Sequence, residues 1–170
     1  LAHDIIRSLN EDETSPLHGE IKMLGTGRGR VSQAPLAEEI VDLFETVEKV
    51  GGGSKINELR QNAKRFFLNY VKAIAVTFPT AWAGRKYSIK TGAALRAFIR
   101  VTPDVIRRLD QEHADRTDFR AIGRVIAPWG RRIGDLRFET EGAWKRAGTT
   151  VESLAKELRL ALQYPEGAAV

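Results

Sequence analysis

The stretch SKINELRQNAKRFFLNYVKAIAVTFP, residues 54–79, decides how the rest of the chain must fold. Within it Ile56, Leu59, Ala63, Phe66, Tyr70, Ile74 and Phe78 recur at steps of three or four, the period of one buried helical stripe. Phe67, Val71 and Ala75 widen the stripe in its second half, while Lys55, Gln61, Asn62, Lys64, Arg65 and Lys72 hold the wet face. Gly51-Gly52-Gly53 separates the run from what precedes it, Ser54 is placed to cap the first free N–H groups, and Phe78-Pro79 ends it. A helix this apolar does not stand alone, because ordering its residues costs more than one unpartnered stripe returns. Its neighbours have to wrap it.

The flanking segments supply such neighbours. Ser32 reads as the cap of a preceding helix with Pro35 in its first turn and Leu36, Ile40, Leu43, Phe44, Val47 and Val50 as its stripe. Its acidic residues Glu38, Glu39, Asp42, Glu45 and Glu48 read as a solvated face. Further upstream, Leu1, Ile5, Ile6 and Leu9 belong to a helix stopping at Leu9-Asn10, and residues 1–10 read as the cut end of an upstream helix. Glu20 to Leu24 suits a short extended piece.

Downstream, Trp82 anchors a turn, and Tyr87 to Val101 predicts a helix with Leu95, Phe98 and Ile99 inward. Thr102 as cap and Pro103 begin another, to about His113. Asp118 caps the next, with Phe119, Ile122, Val125, Ile126 and Trp129 inward. Arg131 to Gly148 is irregular, Thr149 or Thr150 caps a last helix on Val151, Leu154, Leu158 and Leu162, and residues 165–170 fray. The expectation is a single, mainly α domain over residues 1–170: a multi-helix bundle around a long central helix at about 54–78, with little or no strand.

Composition narrows the function classes. With no cysteine, disulfides, Cys-based zinc sites and thiol catalysis are excluded together. No apolar run reaches the roughly 18 residues of a membrane span, and no signal-peptide pattern opens the chain, so the expected location is cytoplasmic. Charge is unevenly spread: residues 85–146 carry 15 Lys/Arg against 8 Asp/Glu, a surplus larger than the whole chain's net +5. An Arg-rich middle third points to phosphate, and equally to a plain solvated face.

No catalytic constellation stands out. His3, His18 and His113 have no metal-like neighbour at helical spacing, and Ser15, Ser32 and Ser88 read as turn or cap residues. No cofactor motif is present, and no metal ligand set. Gly25-Thr26-Gly27-Arg28-Gly29-Arg30 is flexible and basic, so Arg28 and Arg30 are candidates for a phosphate loop, but the Gly-Lys-Ser/Thr ending of a P-loop is missing. The candidate nucleic-acid set is Arg96 with Arg100 and Arg120 with Arg124, two i,i+4 pairs opposite apolar stripes, joined by Arg131, Arg132 and Arg137 in the irregular segment. Trp129 and Trp144 lie close enough in sequence to add stacking.

Several pieces, in order, resemble the later part of DGQHR-domain proteins, the family that includes the DndB-type proteins of DNA phosphorothioation and related DNA-modification loci. They are Leu9-Asn10-Glu11-Asp12 running to Ser15-Pro16-Leu17-His18-Gly19-Glu20-Ile21-Lys22-Met23, then Val31-Ser32-Gln33-Ala34, then Phe66-Phe67-Leu68-Asn69-Tyr70-Val71-Lys72-Ala73-Ile74 with Phe78-Pro79-Thr80-Ala81-Trp82, and Tyr87-Ser88-Ile89-Lys90-Thr91-Gly92-Ala93. The likeness covers roughly residues 5–110. The Asp-Gly-Gln-His-Arg signature itself is absent; in the family it lies upstream, in a ParB-like part, so no signature residue carries over.

The resemblance implies the helical C-terminal portion of a longer protein, with DNA, the upstream part of the same protein and a second copy as expected partners. It implies a regulatory or accessory role in DNA modification or phage defence. Two alternatives stay open. One is a structural or oligomerisation module completing the upstream part, which exposed apolar residues near Leu1 to Leu9 would favour. The other is a split phosphate-handling site using Arg28, Arg30 or the Arg131-Arg132 pair.

Overall fold

The computed structural model describes residues 1–23, 28–51 and 53–165, the side chains of 50, 51 and 53–56 excepted. In chain order the elements are α1 (Ala2–Glu11), β1 (Ile21–Lys22), β2 (Val31–Ser32), α2 (Gln33–Gly51), α3 (Gly53–Thr77), α4 (Pro79–Ala83), α5 (Gly92–Arg100), α6 (Thr102–Gln111), α7 (Phe119–Arg132) and α8 (Val151–Gln163). A 3₁₀ turn at Asp135–Phe138 and a wider turn at Thr140–Trp144 fill the segment between α7 and α8. The fold is mainly α, with one two-residue parallel pair matching Ile21 to Val31 and Lys22 to Ser32.

Helix α3 is the long central rod. Leu59, Ala63, Phe66, Phe67, Tyr70, Val71, Ala73, Ile74 and the following Phe78 are all buried. Ser54 as a cap and Ile56 in the stripe concern side chains outside the described set. Rings from three other segments cover this stripe. Phe98 of α5 lies 6.2 Å from Phe78 and 5.6 Å from Trp129 of α7, and Phe138 of the 3₁₀ turn lies 5.0 Å from Phe78. Edge and tilted arrangements of this kind add about 0.5–1.5 kcal/mol per pair to area burial. Burial pushes the Tyr70 phenol well above its ordinary pKa, and its hydroxyl donates to the Phe98 carbonyl at 2.7 Å.

Helix α7 packs along the second half of α3 and runs in the same sense. Asn69 Nδ2 donates to the Thr117 carbonyl just before α7, while near the other end a Cβ on Gly130 would come within 3.1 Å of the Thr77 carbonyl oxygen. α1 buries Ala2, Ile5, Ile6 and Leu9 against α2 and α3. Only Leu1 of that group is exposed, so the apolar residues of 1–9 are used within this chain.

Local departures from the sequence reading have specific causes. Tyr87 to Thr91 is not helical: Tyr87 bridges to Glu139, Ser88 N–H donates to the Phe138 carbonyl, and the helix starts at Gly92 with Thr91 Oγ1 accepting from Ala94 N–H. Thr102 is the first helical residue of α6 and not its cap; it is fully buried and its hydroxyl turns back to the Phe98 carbonyl at 3.3 Å. Arg131 and Arg132 belong to α7, which continues past Pro128, and Phe119 is half-exposed. Glu39 is buried where a solvated acid was expected.

Phe98→Ala is expected to cost about 3–5 kcal/mol, because the ring fills a site walled by three other aromatic side chains that cannot collapse onto it. Val76→Ala, on the exposed side of α3, stays within about 0.5 kcal/mol. Urea denaturation midpoints of the two variants check this contrast.

Candidate nucleic-acid interface

The seven arginines of the candidate set divide by what the helices place beside them. Arg96 and Arg100 stand one turn apart on α5, on the face turned toward α2. There both reach Glu39, which is 4 % exposed. Arg96 Nη2 lies 3.1 Å from Glu39 Oε1; Arg100 donates through Nη2 to the same oxygen and through Nε to Oε2 at 3.3 Å. The hydrogen bond to Glu39 raises the Arg100 pKa, against the opposing effect of burial. Arg96 Nε is buried without a partner among the described residues, so the cluster holds two cations on one carboxylate. These arginines fasten α5 to α2.

Arg137 is likewise internal. Its side chain is 10 % exposed and donates to Glu157 of α8 through Nε at 2.9 Å and Nη2 at 2.8 Å. Nη1 donates to Thr149 Oγ1 at 2.7 Å, and the guanidinium carbon sits 5.9 Å from the centre of the Trp144 ring. The bidentate geometry makes this a staple between the irregular segment and the last helix. Trp129 is fully buried and donates from Nε1 to the Leu158 carbonyl at 3.0 Å. Trp129 is therefore no stacking surface, contrary to the sequence expectation, whereas Trp144 is partly buried beside Phe138 and Arg137.

Arg120, Arg124, Arg131 and Arg132 remain. All four are exposed on α7, and none has a hydrogen-bond or ion-pair partner among the described residues. Ile122, Val125, Ile126 and Trp129 point into the core, which fixes the opposite side of the same helix as the outward one. At about 100° and 1.5 Å per residue, Arg120, Arg124 and Arg131 fall within about 40° of one another along some 16 Å of axis. Arg132 lies a quarter-turn away, lining a shallow cleft with Ile133, Arg137, Leu160 and Tyr164. The result is a ridge of exposed arginines on one helix, with Glu157 in the cleft beside Arg132 but in no ion pair with it.

The candidate phosphate loop is only partly within the described residues, since Leu24 to Gly27 lie outside them. Arg28 and Arg30 are exposed. Arg28 faces a cleft of about 840 Å³ together with His3, Arg7, Asn10, Met23 and Gln33. Gly29 has a structural reason to be glycine: at φ +117° a Cβ there would stand 2.5 Å from the Ile21 carbonyl carbon.

Two of the serines are engaged in hydrogen bonds, one local and one long-range. Ser15 Oγ accepts from Leu17 N–H, and Ser88 Oγ pairs with Thr140 Oγ1 at 2.7 Å. No group of three His, Asp or Glu side chains converges on a metal position among the described residues. His113 has φ +53°, and its N–H bonds the Asp110 carbonyl while Ala114 N–H bonds that of Leu109. That is the left-handed terminus of α6, with no second feature of a catalytic site.

Removing the shared carboxylate exposes how this division is built. Glu39→Gln leaves two guanidinium groups facing each other and is expected to cost about 3 kcal/mol, the lower end for breaking a buried pair, since both arginines keep partial solvent contact. Arg96→Met costs less, because Arg100 still neutralises Glu39 and the unpaired Nε disappears. Chemical denaturation of both variants tests the ordering.

Compared with family models, with curated proteins and with solved structures, the chain matches none.

Proposed function

We propose that this chain is a DNA-associated accessory or regulatory module, without chemistry of its own, that meets nucleic acid through the arginine ridge of α7. The observation that carries this reading is the contrast just drawn. Arg96, Arg100 and Arg137 are matched to carboxylates, whereas Arg120, Arg124, Arg131 and Arg132 are left without any. Unmatched surface cations on one helix face are the electrostatic footprint expected of phosphate binding. The motif order shared with DGQHR-domain proteins supports the same direction: the helical C-terminal part of a DNA-modification or phage-defence protein, placed beside DNA by its upstream portion.

A second reading, an assembly module for that upstream portion or for a second copy, draws support from another region. Leu136 is 68 % exposed, and Leu160 and Tyr164 are about half exposed near the junction of α7 and α8. The two readings meet at Arg132, which lines one cleft with Leu160 and Tyr164. No helix among the described residues is long and apolar enough to cross a membrane.

The test is charge reversal. Arg120→Glu combined with Arg124→Glu and Arg131→Glu is expected to abolish DNA retention in a low-salt mobility-shift assay while leaving the thermal midpoint within a few degrees of the parent. Undiminished retention would remove α7 from the interface, and no retention by the parent chain would remove the DNA role.

A further inference from the structure

We infer that the cleft between α1 and the head of α2 binds phosphate, either free or as the monoester group of a small molecule. The cleft shares no lining residue with α7, so the site is independent of the nucleic-acid reading. Its volume of about 840 Å³ lies within the roughly 300–1,000 Å³ of small-molecule sites. One wall is the exposed side of α1, where His3, Arg7 and Glu11 follow one another at one-turn intervals. The other carries Arg28, ahead of β2, and Gln33, the first residue of α2.

The two arginines are not neutralised. Elsewhere an arginine beside a carboxylate takes it, as Arg116 takes Asp110 through Nε at 2.7 Å and Nη2 at 2.9 Å. Arg7 has Glu11 one turn away, a spacing that permits a pair, and forms none. Arg28 likewise has no hydrogen-bond or ion-pair partner among the described residues.

Two neutral donors are fixed beside them. Asn10 Oδ1 accepts from Ile21 N–H at 2.9 Å, which leaves Nδ2 as the end of that amide free to donate. Gln33 is 5 % exposed and places Nε2 2.7 Å from His3 Nδ1. An amide nitrogen only donates, so Nδ1 accepts and the neutral imidazole carries its proton on Nε2.

Phosphate matches this set better than a carboxylate does. One guanidinium fork satisfies a planar carboxylate, whereas the terminal oxygens of phosphate accept from forks on two walls. Two arginines against Glu11 leave a positive surplus for it. α2 begins on the same wall, and the positive end of that helix favours an anion there. Met23 borders the space as well, an apolar surface for the remainder of a monoester.

Isothermal titration calorimetry on the full chain tests the proposal with inorganic phosphate, adenosine 5′-monophosphate and succinate at one ionic strength. At least one of the two phosphate probes is expected to saturate, the tighter of them telling the free ion from the monoester, with succinate at least about fivefold weaker. Arg7→Gln and Arg28→Gln are each expected to weaken phosphate binding about tenfold, the loss of one charge-assisted contact. Both side chains are exposed and unpaired, so their thermal midpoints stay within about 3 °C of the parent. Arg124→Gln, on the ridge, is expected to leave binding unchanged. No saturation by either phosphate probe, or succinate bound as tightly as phosphate, overturns the inference. So does a loss from Arg124→Gln equal to that from Arg7→Gln. A short DNA duplex that displaces the phosphate probe assigns the cleft to nucleic acid and overturns it too.

Discussion

The architecture depends on covering one side of α3 with aromatic rings whose polar ends are satisfied inside the core. Tyr70 and Trp129 are both buried, and each carries a donor that would be costly to leave unpaired. Tyr70 finds the Phe98 carbonyl on α5, and Trp129 finds the Leu158 carbonyl on α8. Greasy packing alone permits helices to slide and rotate by small amounts, whereas these two bonds fix which turn of α5 meets α3 and which turn of α8 meets α7. The rotation of α7 follows from the same contact. Once the Trp129 ring is seated, the arginines on the opposite face have nowhere to go but solvent.

Charge is managed in two ways in one molecule. Glu39 and Glu157 each draw arginine inward and convert it into a tie between helices. The α7 arginines receive no such acid. Exposed ion pairs elsewhere, such as Lys145 with Glu141 and Arg107 with Asp104, sit mostly in water and contribute little to either stability or the ridge.

Much of this was legible in the residues, and the rest was hidden for definable reasons. The stripe of α3, the Asp118 cap and the inward side of α7 follow from helical period and capping chemistry, and Asp118 Oδ2 does accept from Ala121 N–H. Glu39 was misread with the solvated acids of α2, although it falls between Leu36, Ile40 and Leu43 on the buried side of that helix, where an acid needs a cation. The identity of that cation was not legible. Arg96 with Arg100 and Arg120 with Arg124 have the same spacing opposite the same kind of apolar stripe, and only the tertiary neighbour of α5 tells them apart. The Arg137–Glu157 tie spans an irregular segment whose path no periodicity encodes. The start of α5 was misplaced because Tyr87 and Ser88 take their hydrogen bonds from residues some fifty positions away.

The two populations of arginine answer to different conditions. Those held against Glu39 and Glu157 are hydrogen-bonded and only partly open to mobile ions, whereas the ridge on α7 faces them directly, where the screening length shrinks from about 10 Å at 0.1 M to about 3 Å at 1 M. Raising salt therefore bears on the outer face first, well before it reaches the hydrogen-bonded ties inside.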